Sequence, residues 1–181
     1  MEIRLYLDAD SLPVRHREII LRRCMRENIE AYFVADRDLP DVREAVRKHT
    51  IALRAPFRAT LSNEEIRKIR STVSMIVVEG GPNAADDRIV EMAEAPALCI
   101  THDIPLAERL IKKGIHVVDD RGNTLNEGNI RERMSVRETQ KDFREMGIFN
   151  DKQKHFDERT IQLFANSFDR ALQMLKSQKT R

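Results

Sequence analysis

The first strand-like run of the chain, Glu2 to Leu7, ends in two carboxylates one residue apart, Asp8 and Asp10, and a proline-started helix follows at Pro13. In an open α/β sheet, ligands bind just outside the carboxyl ends of the strands. Asp10 or Ser11 can cap the helix, but capping uses one acid and leaves the other without a structural duty. Such a pair suits a hard divalent cation, which takes oxygen ligands. Acids recur after later apolar runs: Asp86-Asp87, Asp103 within Thr101-His-Asp-Ile-Pro105, and Asp119-Asp120. Singly, each has a structural use. First-turn acids complement a helix dipole, Asp103 can cap a helix, and Asp119-Asp120 can turn the chain with Arg121-Gly122. Jointly, a parallel sheet brings these places to one edge, where crowded carboxylates repel one another unless a cation neutralises them. Asp8, Asp10, Asp86 and Asp103 are therefore the candidate ligands and catalytic groups. Mg²⁺ or Mn²⁺ held this way activates water and screens phosphate charge. His102 neighbours Asp103, and strand alternation predicts that its side chain points away, in a structural or peripheral role.

The elements that must position these acids follow from periodicity. Strands are predicted at 2–8, 30–35, 73–78, 97–101 and 115–118, with helices at 13–28, 41–49, 62–71, 84–95 and 105–113 between them. Pro40 starts the second helix, Ser62-Asn-Glu-Glu65 is a capping box for the third, and Ile51–Leu53 reads as a short strand. Alternating strands and helices argue for an α/β fold, a parallel sheet with helices on both faces. Residues 36–72 read as an insertion or lid on an α/β domain of residues 1–125. Residues 126–181 read as a helical extension, with helices at 127–146 and 157–176 around a polar break at 147–154. An apolar stripe through Ile161, Phe164, Ala165, Phe168, Leu172 and Leu175 is expected to pack on the domain or on a second copy of the chain, as a homo-oligomer.

Composition narrows the class. The chain has 181 residues, 41% hydrophobic and 34% charged, which fits a globular protein rather than a disordered one. Its 32 basic and 30 acidic residues leave a net charge of +2, so nucleic-acid affinity would need a local patch. Cys24 and Cys99 sit in apolar patterns and read as buried reduced thiols. No run approaches the ~18 apolar residues of a membrane span, and no secretory signal is visible, so a cytoplasmic location is expected. No Gly-x-x-x-x-Gly-Lys-Ser/Thr loop, Gly-x-Gly-x-x-Gly turn or Gly-x-Ser-x-Gly elbow is present, which argues against P-loop hydrolases, dinucleotide enzymes and α/β-hydrolases.

Several pieces resemble a known family when taken in order: Leu7-Asp-Ala-Asp10 with Pro13-Val14, Val34-Ala35, Ala84-Ala-Asp86 with Ile89, and Ile100-Thr-His-Asp-Ile-Pro-Leu-Ala107. Lys113-Gly114, Arg121-Gly122, Asn129-Ile130, Arg137, Gly147, and Phe164 with Asp169 continue the match. The chain resembles the YaiI/YqxD family of bacterial proteins, placed with the PIN-like nuclease domains. The resemblance implies a PIN-like three-layer α/β/α sandwich with a central parallel sheet. It also implies three or four acids that bind Mg²⁺ or Mn²⁺ and cut RNA by water attack on a phosphodiester. By motif, Asp8 is the strand-one acid, Asp86 the mid-chain acid and Asp103 the strand-four acid, and Asp10 belongs to the family's Asp-Ala-Asp. The chain departs from the pattern at Leu12, where the family usually has Cys, and at Asn83, where it often has Asp. Its segment between Ala35 and Gly80 is also longer, and Asp119-Asp120 is not the family's usual pair.

For an RNA substrate, Arg15, soon after the Asp-x-Asp, and Arg121, in the Arg-Gly pair beyond strand five, are the candidate phosphate contacts. The arginines of the first helix, Arg54 and Arg58, and Arg131, Arg133 and Arg137 form a wider set, although nearby glutamates offer many of them surface pairs. With aromatics at 5% and no Trp, an extended base-stacking platform is not expected. Two other readings stay open. One is a non-catalytic RNA- or protein-binding module on the same fold. The other is a haloacid-dehalogenase-type phosphatase with Asp8 as nucleophile, Asp10 as acid/base, and Thr101, Lys112 or Lys113, and Asp119-Asp120 following.

Overall fold

A computed structural model describes residues 3–81, 83–145 and 157–178. Six strands form one sheet: β1 (Arg4–Asp8), β2 (Glu30–Ala35), β3 (Val73–Val77), β4 (Ala97–Ile100), β5 (His116–Val118) and β6 (Thr124–Leu125). Their order is β3-β2-β1-β4-β5-β6. The first five are parallel, and β6 returns antiparallel beside β5. The helices are α1 (Val14–Glu27), α2 (Pro40–Arg54), α3 (Asn63–Lys68), α4 (Ala84–Met92), α5 (Ile104–Lys112), α6 (Glu127–Glu145) and α7 (Glu158–Gln178).

The inner strands are apolar on both sides because both faces are covered. Leu5 and Leu7 of β1, Ala31, Phe33 and Ala35 of β2, and Leu98 and Ile100 of β4 join one core with residues of α1, α2 and α7. Tyr6, Val34, Cys99 and Val117, one step out of phase, join the other core with residues of α4, α5 and α6. The period of two along each strand thus produces a three-layer α/β/α sandwich. The stripe on α7 is used within the chain: Ile161, Phe164, Phe168, Ala171, Leu172 and Leu175 are buried. At the β5–β6 turn, Gly122 has φ +84°, and a Cβ there would stand 2.8 Å from the Leu163 carbonyl of α7, so only glycine permits that approach.

The chain lays β1, β2 and β3 outward in one direction, then crosses to the other side of β1 to form β4 and β5. The order reverses between β1 and β4, and the crevice at such a reversal, at the carboxyl edge, is where open α/β sheets bind ligands. Asp8 ends β1 and Thr101 follows β4.

Some expectations need correction. Ile51–Leu53 is not a strand but the last part of α2, which starts at Pro40 and runs until the 3-10 turn at Ala55–Phe57. Three apolar residues cannot separate a helix end from a short strand by periodicity alone. Residues 36–72 form the crossover between neighbouring parallel strands β2 and β3. Of these, α2 buries Val42 against the sheet, whereas α3 buries nothing. β6 was not predicted, and its two residues are too short for any alternation. The polar break at 147–154 lies outside the described residues.

Candidate functional site

A cavity of about 540 Å³ opens at the carboxyl edge over the β1/β4 reversal. Five carboxylates line it, those of Asp8, Asp10, Asp36, Asp86 and Asp103, together with Ser11, Asn83 and His102. All four acids proposed from the sequence are brought together there, and Asp36, beyond β2, joins them.

Each acid is held differently. Asp8 is the last residue of β1, is 6% exposed, and its Oδ2 accepts a hydrogen bond from Thr101 Oγ1 at 2.7 Å. Asp10 lies in the turn beyond, where its Oδ2 accepts from the Asp36 backbone N–H at 2.6 Å. Asp10 Oδ1 is shielded from solvent and lacks a hydrogen-bond partner, although Arg37 Nε approaches to 3.3 Å. Burial, and then the neighbouring Asp36 charge, raise the Asp10 pKa against the opposing backbone hydrogen bond. Asp103 caps α5, with Oδ1 accepting from Leu106 N–H at 2.9 Å, and its Oδ2 faces Arg137 Nη2 of α6 at 3.6 Å. Asp86 lies in the first turn of α4. Burial, with the charges of Asp8 and Asp103 adding to it, pushes its carboxyl pKa up to about 6.

The turn that carries Asp10 is clamped from below. Arg17 of α1 is buried and grips Asp41 of α2 with two bonds, at 2.8 and 3.0 Å. Its other nitrogen donates to the carbonyls of Leu12, at 2.5 Å, and Ala9, at 3.4 Å. A rigid guanidinium fork thus ties the Asp-x-Asp turn to two helices. A signal existed in the sequence: Arg17 stands on the stripe shared with Ile20, Leu21 and Cys24, where a charge needs a partner. The α4 end is shaped by Gly80 at φ +138° and by Asn83 in the left-handed region at φ +72°, a conformation asparagine tolerates.

His102 is not turned away. It lines the cavity, with Nδ1 3.9 Å from Asp120 Oδ2. β4 ends at Ile100, so strand alternation no longer governs residue 102. Asp120 is itself buried, which raises its pKa, and its carbonyl oxygen lies 2.8 Å from Nε2 of the buried His16. Arg15 does not line the cavity; its guanidinium pairs with Glu158 of α7 at 2.6 and 3.0 Å. Its proximity to Asp10 in sequence is undone by the first turn of α1, which aims it at another helix. Arg121 is exposed on the β5–β6 turn, also outside the cavity lining, with its backbone N–H donating to Asp119 Oδ1 at 2.9 Å. Asp87 faces outward and pairs with Arg109 at 2.8 Å. Cys24 and Cys99 are free and buried, and burial pushes the Cys24 thiol up to about 12 and the Cys99 thiol well above its usual value.

The donor chemistry suits a hard divalent cation: five carboxylates, one hydroxyl, one amide and one imidazole line the cavity, without a thiol. Asp10 Oδ1, buried without a hydrogen bond and paired with Arg37 at 3.3 Å, and the raised Asp86 carboxyl are what an ion would relieve. The spacing is open, and among the described residues no three His, Cys, Asp or Glu groups stand close enough to share one ion.

The fold and this edge define an α/β/α sandwich with an acidic crevice at its sheet reversal. The chain belongs to the uncharacterised YaiI/YqxD family, whose model matches residues 40–174. It is 32% identical to a UPF0178 protein of Stutzerimonas stutzeri over 96% of this chain and 97% of the relative. It is 34% identical to one of Ectopseudomonas mendocina, over 96% and 99%. Among solved structures, a glucose-6-phosphate 1-dehydrogenase from Mycobacterium avium is 14% identical over 65% of this chain and 29% of that one, with a TM-score of 0.33, too loose to bear on fold or function.

Proposed function

We propose that the protein is a divalent-metal-dependent ribonuclease that hydrolyses RNA phosphodiesters in the carboxylate cavity, using Mg²⁺ or Mn²⁺. The observation that supports this reading is the gathering of five carboxylates, from four separate places in the chain, over the sheet reversal. Bound among them, a divalent cation supplies a water of lowered pKa and screens the phosphate. The chain's own residues do the rest. Thr101 fixes Asp8, the Asp36 N–H fixes Asp10, and the first turn of α5 fixes Asp103. Asp86, whose carboxyl pKa burial and the charges of Asp8 and Asp103 raise to about 6, is the acid that a bound cation would hold ionised. Arg37 and Arg137, exposed and paired with Asp10 and Asp103, would supply guanidinium forks for phosphate oxygens. The cytoplasm suits this reading, since RNA and Mg²⁺ are present there and buried free thiols stay reduced. Among the described residues, no helix is long and apolar enough to cross a membrane.

The phosphatase reading lacks its lysine: Lys113 donates to the Val90 carbonyl at 2.5 Å and Lys112 pairs with Glu108, and neither lines the cavity. A non-catalytic RNA-binding module is favoured by one observation, that both oxygens of Asp103 already have partners. Incubating labelled single-stranded RNA with the protein, with Mn²⁺ or with EDTA, separates the two. The nuclease cuts only with Mn²⁺. Asp8→Asn and Asp86→Asn slow it at least 10–100-fold, the loss seen even for groups one step removed from a metal. RNA that stays intact at every Mn²⁺ concentration while remaining bound establishes the module instead.

A further inference from the structure

A second cavity, of about 740 Å³, lies along the free edge of β3, between that strand, α2 and the segment after α3. Five arginines line it, Arg43, Arg47, Arg54, Arg67 and Arg70, and none of the other lining residues is acidic. Residues 40–71 hold eight basic and four acidic side chains, in a chain whose net charge is only +2. The sequence concentrates its positive charge here.

Three of the five arginines, Arg54, Arg67 and Arg70, have no acidic partner among the described residues. Arg43 pairs with Asp38 and Arg47 with Glu44, both exposed pairs of the kind that solvent and salt weaken. Arg54 donates to the carbonyls of Ile69 and Arg67, at 2.9 and 3.2 Å, which aligns the guanidinium but leaves its charge uncompensated. Arg67 and Arg70 are exposed and form no ion pair among the described residues. Arg43, Arg47 and Arg54 follow one side of α2 over 11 residues, a rise of roughly 16 Å at 1.5 Å per residue. A single small anion cannot span that stripe, whereas a polymer with one charge per unit can. Val46, Val73 and Met75 also line the cleft, with the hydroxyls of Thr50, Ser71 and Ser74 beside them.

The cleft and the carboxylate cavity share a loop. Asp36 lines the acidic cavity, and Asp38, two residues on, holds Arg43 at the head of the arginine stripe. We propose that the arginine cleft binds the phosphate backbone of single-stranded RNA and leads it over the 36–39 loop towards the carboxylate edge. This rests on the ribonuclease reading for its direction but not for its binding. Arginine forks suit phosphate oxygens, and guanidiniums strung along one side of a helix suit a chain that carries one phosphate per unit.

The test is fluorescence anisotropy with a fluorescein-labelled oligouridine of about 12 nucleotides, a length within the usual span of single-strand sites, in EDTA over a series of KCl concentrations. Arg67→Gln/Arg70→Gln should weaken binding at least tenfold and make the slope of log K against log salt shallower by about 1.4, since each lost phosphate contact removes about 0.7. Both residues are exposed, so the melting temperature should not move. Arg22→Gln/Arg26→Gln on α1 should bind as the wild type does. Polyglutamate of equal charge should not displace the RNA. Unchanged affinity in the cleft variant, an equal loss in the α1 variant, or displacement by polyglutamate overturns the proposal. Adding Mn²⁺ to the same mixtures keeps the two readings apart. Tight, cleft-dependent binding without cleavage removes the nuclease and keeps the cleft. Cleavage with cleft variants that bind normally does the reverse.

Discussion

Acids at two places on the carboxyl edge of the sheet have opposite fates. Beyond β5, Asp119 accepts the backbone N–H groups of Arg121 and Asn123, at 2.9 and 2.7 Å, and the Asn123 side-chain amide at 2.8 Å. Its negative charge is matched by donors that build the β5–β6 turn. Over the β1/β4 reversal, Asp86 has no such donors among the described residues, and burial together with Asp8 and Asp103 raises its pKa to about 6. The acid in the turn is satisfied by its own fold, and the acid in the crevice is not. An acid at a strand's carboxyl end therefore does not by itself mark a site. The mark is a crowd of carboxylates that includes one, Asp86, whose pKa burial and its neighbours raise.

The contrast is breakable. Asp119→Ala should be the most damaging change to stability, because it strips a buried acceptor from two backbone donors. A loss of about 2–3 kcal/mol, read from the urea midpoint, is expected for unpaired donors of this kind. A much smaller loss would put the turn's stability elsewhere.

Asp86→Asn should act in the opposite direction and by less. The folded state holds the Asp86 proton more tightly than the unfolded chain does. Its contribution to stability is therefore complete below about pH 4 and disappears as pH rises through about 6. The wild type should lose melting temperature across that window, and Asp86→Asn should lose less, so the variant melts higher at pH 8 and level with the wild type near pH 4. Parallel curves would contradict the crowding.

Much of the frame was legible from the residues. Buried parallel strands read as near-continuous apolar runs, and helices announced themselves by caps and by spacing, as at Ser62 with its capping box. The four acids were found because strand ends in a parallel sheet share an edge. What stayed hidden depended on direction rather than position. Asp86 and Asp87 are adjacent, yet one faces the crevice and the other pairs with Arg109 outside it. Arg15 and Arg17 are two residues apart on α1, and helical rotation sends the first to Glu158 and the second under the Asp-x-Asp turn. His102 was misjudged because the strand rule was carried past the end of β4. Asp36 was missed because its role needs the β2 end to stand beside β1, a register that the sequence of β2 alone does not state.

The central claim is that the crevice acids, and not the turn acid, bind a divalent cation. Calorimetric titration of Mn²⁺ into the wild type, Asp8→Asn and Asp119→Asn, each checked for fold by circular dichroism, tests it directly. The account predicts binding by the wild type and by a folded Asp119→Asn, and binding abolished or at least tenfold weaker in Asp8→Asn. Equal Mn²⁺ binding by Asp8→Asn and wild type, or none by either, would contradict it.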